Sequence, residues 1–245
     1  MIFSYSIWRN GMVAIMDIRG EREESFAMKT REEFVRELEH LQNEILGMAM
    51  MTNESIVKAT ESLKNKDVTL AKEVIASDDR IDEKMQEIEQ ACILLIATQQ
   101  PVATDLRKIE AGIKTVIDLE RIADYAEDIA KITVKLQDEE LIKPLVDIPK
   151  MSQIAYLMLN KAMDAYIHGD KEEARKIGEW DDQIDDLYKA IGKELEIIIK
   201  QDPNTAKQAM QLILAAKFME RIGDHITNIA ENAVYIATGE RVSIS

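Results

Sequence analysis

Residues 120–130 read Glu-Arg-Ile-Ala-Asp-Tyr-Ala-Glu-Asp-Ile-Ala, and residues 220–230 read Glu-Arg-Ile-Gly-Asp-His-Ile-Thr-Asn-Ile-Ala. The two stretches are near copies, and each has a Glu and an Asp four residues apart: Glu120 with Asp124, Glu220 with Asp224. On a helix that spacing stacks both carboxylates on one face. Like charges so placed oppose each other by about 0.2–0.5 kcal/mol. Two explanations fit a chain that keeps the arrangement twice. Either the acids hold a cation, or Arg121 and Arg221 neutralise them in an ion-pair network, a task suited to guanidinium groups.

The duplication extends upstream. Asp78-Asp-Arg-Ile-Asp82 precedes the first copy and Asp181-Asp-Gln-Ile-Asp185 the second, with Asp67 and Asp170 at the same offset as openers of the helices that carry them. The offset slips around Pro101 and Pro203, where a loop differs in length. Each half therefore repeats one order: helix, turn, acid-pair helix, proline-marked turn, Glu-Arg-Ile helix. Phe34, Leu38, Leu41, Ile45, Met48 and Thr52 recur at alternating spacings of four and three, the period of an amphipathic helix. Thr30 and Glu33 form a capping-box pattern. This helix is predicted to run to Leu63, a second to end before Pro101, and a third to start at Pro101 and run to about Leu136. Residues 138–149 hold Pro144 and Pro149 without a helical period and read as a linker. The second half follows with helices over about 151–167 and 171–200 and a last one opening at Asp202-Pro203. No strand pattern occurs. The predicted fold is all-α: two tandem pseudo-symmetric three-helix bundles, six long helices in all, over residues 28–137 and 150–245. Residues 1–27 lack the helical period and contain Met12 and Met16 before Met28. They read as an N-terminal extension or tag, with translation starting at Met28, or else as a native tail.

Composition narrows the function. A net charge of −15 over 245 residues argues against binding nucleic acid through its phosphates and against attraction to anionic lipid. Acid excess suits cations or a basic partner surface. Aromatic residues make up 5% and there are 13 methionines, a mix suited to helices packed on helices. The single cysteine, Cys92, lies in an apolar run and reads as a buried thiol, in keeping with a reducing cytoplasm. No stretch approaches the ~20 apolar residues a membrane span needs, and Asp17 and Arg19 interrupt any signal-peptide pattern.

Asp78 and Asp82 share one helix face, as do Asp181 and Asp185; Asp79 with Glu83, and Asp182 with Asp186, form an adjacent stripe. If each acid-pair helix packs beside the Glu-Arg-Ile helix of its half, the acids converge into one patch per half. Carboxylate oxygens suit Mg²⁺, Ca²⁺, Mn²⁺ or oxidised iron. Asp128 and Asn228, one turn further on, extend the donor set. The competing reading is a solvated acidic face, especially for Asp79 and Asp182, and for Asp105 a helix-dipole contact alone. Glu37-Leu-Glu-His40 has the Glu-x-x-His spacing of di-iron bundles, but such sites need it on two helices and it occurs once. His168 falls in a turn, and His225 reads as a surface residue. There is no phosphate-binding loop, nucleophile motif or zinc spacing, which points away from an enzyme.

The duplicated halves, their Asp-x-x-x-Asp and Glu-x-x-x-Asp motifs, the run Glu220-Arg-Ile-Gly-Asp-His225 followed by Asn228-Ile-Ala-Glu231, and the opening Arg31-Glu-Glu-Phe34 with Leu38 resemble the PhoU family of phosphate-signalling regulators, over about residues 28–240. The resemblance implies a cytoplasmic, non-catalytic protein that represses the phosphate-starvation response. Its implied partners are the ATPase subunit of a phosphate ABC transporter and a sensor histidine kinase; separately, the exposed seams of elongated bundles make a homodimer the expectation, and the lack of an apolar span argues against membrane insertion. The resemblance further implies metal ions on Asp78, Asp82, Glu120 and Asp124 in the first half and on Asp181, Asp185, Glu220 and Asp224 in the second. Asp128 departs from the Asn expected there, adding charge to the first site. The alternatives are a metal-storing or metal-buffering protein and a metal-dependent hydrolase.

Overall fold

The computed structural model describes the backbone of residues 5–244 and the side chains of residues 31–244. The question of whether translation starts at Met28 lies outside the described residues. The helices are α1 (Tyr5–Asn65), α2 (Val68–Gln99), α3 (Ala103–Lys135), α4 (Asp147–His168), α5 (Lys171–Arg175), α6 (Ile177–Gln201) and α7 (Ala206–Thr238), with a 3₁₀ turn at Pro203–Thr205. Among the described residues there is no strand. None of their helices is long and apolar enough to cross a membrane.

The chain divides into two units, residues 1–40 and 41–245. The first is the leading part of α1, in which the Arg31 guanidinium lies 5.1 Å from the centre of the Phe34 ring. Here the structure corrects the sequence reading. The backbone is helical from Tyr5 onward, through the stretch that shows no apolar period and through Thr30, so no helix begins at the capping-box pattern. Periodicity reports a buried face, whereas extending a helix that already has a nucleus needs only residues that do not break it.

The second unit holds the two three-helix bundles: α1 from Leu41 with α2 and α3, and α4 with α5–α6 and α7. Asp67 caps α2, its side chain accepting from Leu70 N–H at 3.0 Å. Asp170 caps α5, accepting from the N–H groups of Glu172 and Glu173. These two predicted caps are worth about 1 kcal/mol each. Pro101 is not the first residue of α3; Val102 is its N-cap and Ala103 its first residue. The predicted helix over 171–200 is broken at Lys176 into α5 and α6. At that break a Cβ on Gly178 would lie 2.7 Å from the carbonyl oxygen of Ile244, so the C-terminal tail closes onto the chain there. The tail is further held by Ile244 N–H donating to Glu231 at 2.9 Å. The non-helical segment before α4 is fastened by Ile142 N–H donating to Gln208 Oε1 at 2.6 Å.

The two halves meet along α3 and α7. Tyr235 donates to Glu110 at 2.9 Å, Asn232 to Thr115 at 3.5 Å and His225 to Asp118 at 2.9 Å, so numbers rise on one helix as they fall on the other. The two helices are therefore antiparallel, related by a pseudo-twofold. Leu119, Ile122 and Ile129 on α3, and Ile222, Ile226 and Ile229 on α7, have no exposed surface. Each such side chain contributes about 1.5–3 kcal/mol of burial. Ala126, Ala130, Ala216, Ala230 and Ala233 are fully buried as well, and their small side chains allow close helix approach. α2 packs on α3, and α6 on α7. α1 joins α4 through Asn53–Asn160 (3.1 Å) and Thr60–Ser152 (2.9 Å), and α3 through Ser62–Thr133 (3.0 Å). The consequence for function is direct: in each half the acid-pair helix lies beside the Glu-Arg-Ile helix.

Candidate metal centres

In the first patch α2 contributes Asp78 and Asp82, and α3 contributes Glu120, Asp124 and Glu127. Burial, and then the nearby charges of Glu127, Asp124 and Asp82, push the Asp78 carboxyl up to about 7, with Lys131 opposing. Burial, then Asp124 and Asp79, raises Asp82. Glu120 is raised by burial and by Asp124 and Asp82, while Arg121 and His225 act the other way. Asp82 Oδ1 is buried without a hydrogen-bond partner. A buried carboxylate oxygen in that state costs about 1–3 kcal/mol or more.

Basic groups answer only part of this. Arg121 donates to Asp124 at 2.7 Å and lies 3.4 Å from Glu120; Lys131 pairs with Glu127 and stands 3.5 Å from Asp128. Among the described residues no ion pair reaches Asp78 or Asp82. The Arg121 side chain is 54% exposed, and surface pairs of that kind contribute about 0–1 kcal/mol. The arginine pairing is thus present in the structure at Glu120 and Asp124 and does not extend to Asp78 or Asp82.

In the second patch α6 contributes Asp181 and Asp185, and α7 contributes Glu220 and Asp224. Asp181 is only 9% exposed. Burial, followed by Asp224, Asp185, Asp182 and Glu220, pushes its carboxyl up to about 6. Asp224 is raised by burial and by Glu220, against Arg221 and Lys217. A Cβ on Gly223 would lie 2.5 Å from Asp181 Oδ1, so the glycine is what lets this carboxylate settle against α7. Lys217 donates to both oxygens of Glu220, at 2.6 and 2.5 Å, and lies 5.3 Å from the centre of the Tyr188 ring. Lys189 reaches Asp185 at 3.4 Å, and Arg221 reaches Asp224 at 3.4 Å.

All eight acids singled out in the sequence therefore fall into two patches, four to each half. Two further oxygen donors behave differently from expectation. Asp128 turns to Lys131, and Asn228 donates to Asp118 at 3.0 Å. His225, read as a surface residue, is 23% exposed and bonded to Asp118 across the seam. Glu127 was missed because the repeat places Thr227 at the matching position; its spacing of three from Asp124 was the available signal. Among the described residues no three carboxylate, imidazole or thiol groups are gathered tightly enough to ligate one ion. The acids of each patch share an electrostatic field rather than a formed coordination sphere. Their chemistry nonetheless fits a hard cation: all donors are carboxylates, one oxygen lacks a partner, and the acids raise one another's affinity for protons. Cys92 has no part in this. It is fully buried, and burial pushes its thiol up to about 12.

A duplicated three-helix bundle with one carboxylate patch in each repeat defines a tandem-repeat, all-helical class of protein. The chain belongs to the PhoU family: the PhoU domain model matches it twice, over residues 45–133 and 148–233. It is similar to the phosphate-specific transport system accessory protein PhoU homolog of Clostridium acetobutylicum, with 38% identity over 88% of this chain and 99% of the relative. The homolog of the same name from Aquifex aeolicus is 43% identical over 84% of this chain and 94% of its own. The crystal structure of PhoU from Pseudomonas aeruginosa superposes with a TM-score of 0.81 at 32% identity, covering 84% of this chain and 100% of that one.

Proposed function

We propose that this protein is a non-catalytic, cytoplasmic accessory regulator of phosphate transport that represses the phosphate-starvation response when phosphate is abundant. In this reading it links the ATPase subunit of a phosphate ABC transporter to a sensor histidine kinase and works as a homodimer. The observation that carries the reading is family membership across both repeats, with relatives matched over nearly their whole length that are named accessory proteins of the phosphate-specific transport system. The two patches take hard cations as part of the same proposal. A bound cation would supply the positive charge that lets the acids of one patch ionise together, and this chain's part is to hold α2 against α3 and α6 against α7 around it.

The test of regulation is deletion of the gene, followed by an alkaline phosphatase assay in cells grown at high phosphate. Constitutive phosphatase that is silenced by restoring the gene is the expected result. Phosphatase that stays repressed after deletion overturns the regulatory reading.

A further inference from the structure

The polar bonds of the α3–α7 seam break the pseudo-twofold, and the break nearest the two patches is at Asp118. Asp118 and Phe218 occupy equivalent positions, as do Tyr125 and His225, and Asp128 and Asn228. On one side of the axis Tyr125 stacks on Phe218, with ring centres 5.7 Å apart and planes 24° from parallel. On the other side the same two positions hold Asp118 and His225. Asp118 Oδ1 accepts from His225 Nδ1 at 2.9 Å and from Asn228 Nδ2 at 3.0 Å. Asp118 is 14% exposed and His225 23%, so the bond between them is partly sheltered, whereas the Asn228 bond lies at the exposed edge of the seam. The departure at position 128 has its reason here: Asn228 has an acceptor across the seam, whereas Asp128 stands in the half where that acceptor is replaced by Phe218.

This polar link joins the turns that carry the two patches. Asp118 lies two residues before Glu120, and His225 follows Asp224 directly. The acids that disturb Asp78, Asp82 and Glu120 all belong to the first half, and those that disturb Asp181 and Asp224 all belong to the second. From the second half, His225 acts on Glu120.

We infer that Asp118, through His225 and Asn228, is a positioning residue that couples cation binding at the two patches. This rests on the proposal that the patches bind cations. A cation drawing Glu120 and Asp124 together fixes the α3 turn that carries Asp118. The paired bonds then hold the His225–Asn228 turn of α7 and with it Asp224, so the second ion meets a site already ordered. Coupling of this kind is reciprocal and typically 5- to 150-fold. The stacked rings meet this link only at Tyr125, whose ring centre lies 5.8 Å from that of His225, a contact without hydrogen-bond direction.

The experiment is a double-mutant cycle on Mn²⁺ affinity of the full chain, read by calorimetry. Glu220→Ala with Asp224→Ala disables the second patch, and Mn²⁺ affinity at the first is measured with and without that change. With the link intact, the expected loss at the first patch is about fivefold. Asp118→Phe with His225→Tyr copies the stacked pair onto the second side and keeps the seam filled; in that background the loss shrinks below about twofold. Asp118→Asn keeps the acceptor oxygen and retains the coupling. The inference is overturned if the loss is the same in both backgrounds, or if Asp118→Asn abolishes coupling as fully as the aromatic pair does. If the unaltered protein binds no Mn²⁺ at either patch, the cation reading itself fails and the coupling falls with it, an outcome distinct from binding without coupling.

Discussion

Both patches set two aspartates on the outer helix and a Glu–Asp pair on the inner one, yet position 117 is Ile in the first half and position 217 is Lys in the second. The lysine closes on both oxygens of Glu220, and Lys189 stands near Asp185. In the first half the nearest lysine, Lys131, is taken up by Glu127 and Asp128. That leaves Asp78 and Asp82 with no ion pair among the described residues, and Asp82 with an oxygen that has no partner. Asp78 and Asp181 are nevertheless raised alike, to about 7 and about 6, in each case first by burial and then by the neighbouring acids. One repeat, copied, has thus become two patches of different charge balance: in the second Lys217 and Lys189 answer Glu220 and Asp185, and in the first Asp78 and Asp82 have no ion pair among the described residues.

The strongest way to break this comparison is to remove each patch in turn. Glu120→Ala with Asp124→Ala should weaken the tightest Mn²⁺ binding by about a hundredfold, or about 2.7 kcal/mol. Glu220→Ala with Asp224→Ala should weaken it by only about fivefold, through the seam. Circular dichroism of both variants should show unchanged helix content, because the altered groups contribute charge rather than core. Equal losses in calorimetry would erase the distinction between the halves. Unchanged metal binding in both would leave the acids as a solvated face.

Next in size is the pH dependence of the metal-free protein. Asp78 is held near 7 in the folded state, against about 3.9 in an unfolded chain. Between those values the folded state binds the extra proton. The stability this group contributes is therefore complete below about pH 4 and is lost as pH rises through about 7. Asp181 behaves alike, with its contribution lost by about pH 6. The melting temperature of chelated protein should accordingly fall from about pH 4 to about pH 7. Asp78→Asn should flatten the upper part of that fall and Asp181→Asn the lower part, while excess Mn²⁺ should remove it. A melting temperature that stays level or rises across this range in chelator contradicts the placement of the acids.

A smaller effect tests the lysine directly. Lys217→Ile copies the first half's residue into the second and should raise the second patch's Mn²⁺ affinity about threefold, or ~0.7 kcal/mol. Ile117→Lys should do the reverse in the first patch. If neither exchange moves affinity in a titration, the difference between the halves lies elsewhere than at this position.

The fold was legible because each half repeats its own punctuation. Asp67 and Asp170 announce their helix starts by side-chain chemistry that acts locally, and both caps form. Pro101 misled by two residues, since a proline fits both a first helical position and the extended segment before one. The eight patch acids were legible because the same spacing appears twice. Glu127 and the Asp118–His225–Asn228 link were not, because each breaks the repeat: Thr227, Phe218, Tyr125 and Asp128 stand at the matching positions. Reading by internal repetition recovers what the halves share and is blind to what one half alone has acquired. The seam adds a second difficulty, since Asp118 and His225 lie 107 residues apart and meet only once α3 and α7 pack antiparallel.

The smallest predicted effect concerns the one backbone difference between the motifs, Ala123 against Gly223. Ala123 is buried beside the first patch, where Asp78 is half-buried; Gly223 lies under Asp181, which is buried. A Cβ at position 223 would meet Asp181 Oδ1 at 2.5 Å, too close for the carboxylate to stay. Gly223→Ala therefore sets a helix-propensity gain of about 1 kcal/mol against the displacement of one short side chain. Net stability should change little, by less than about 1 kcal/mol in denaturant titration. The displaced Asp181 should titrate closer to an ordinary carboxylate when followed by NMR, because the burial that raises it is relieved. The second half would then resemble the first at this position. If Asp181 still titrates near 6 in the Ala variant, its shift comes from the neighbouring acids rather than from the space the glycine leaves.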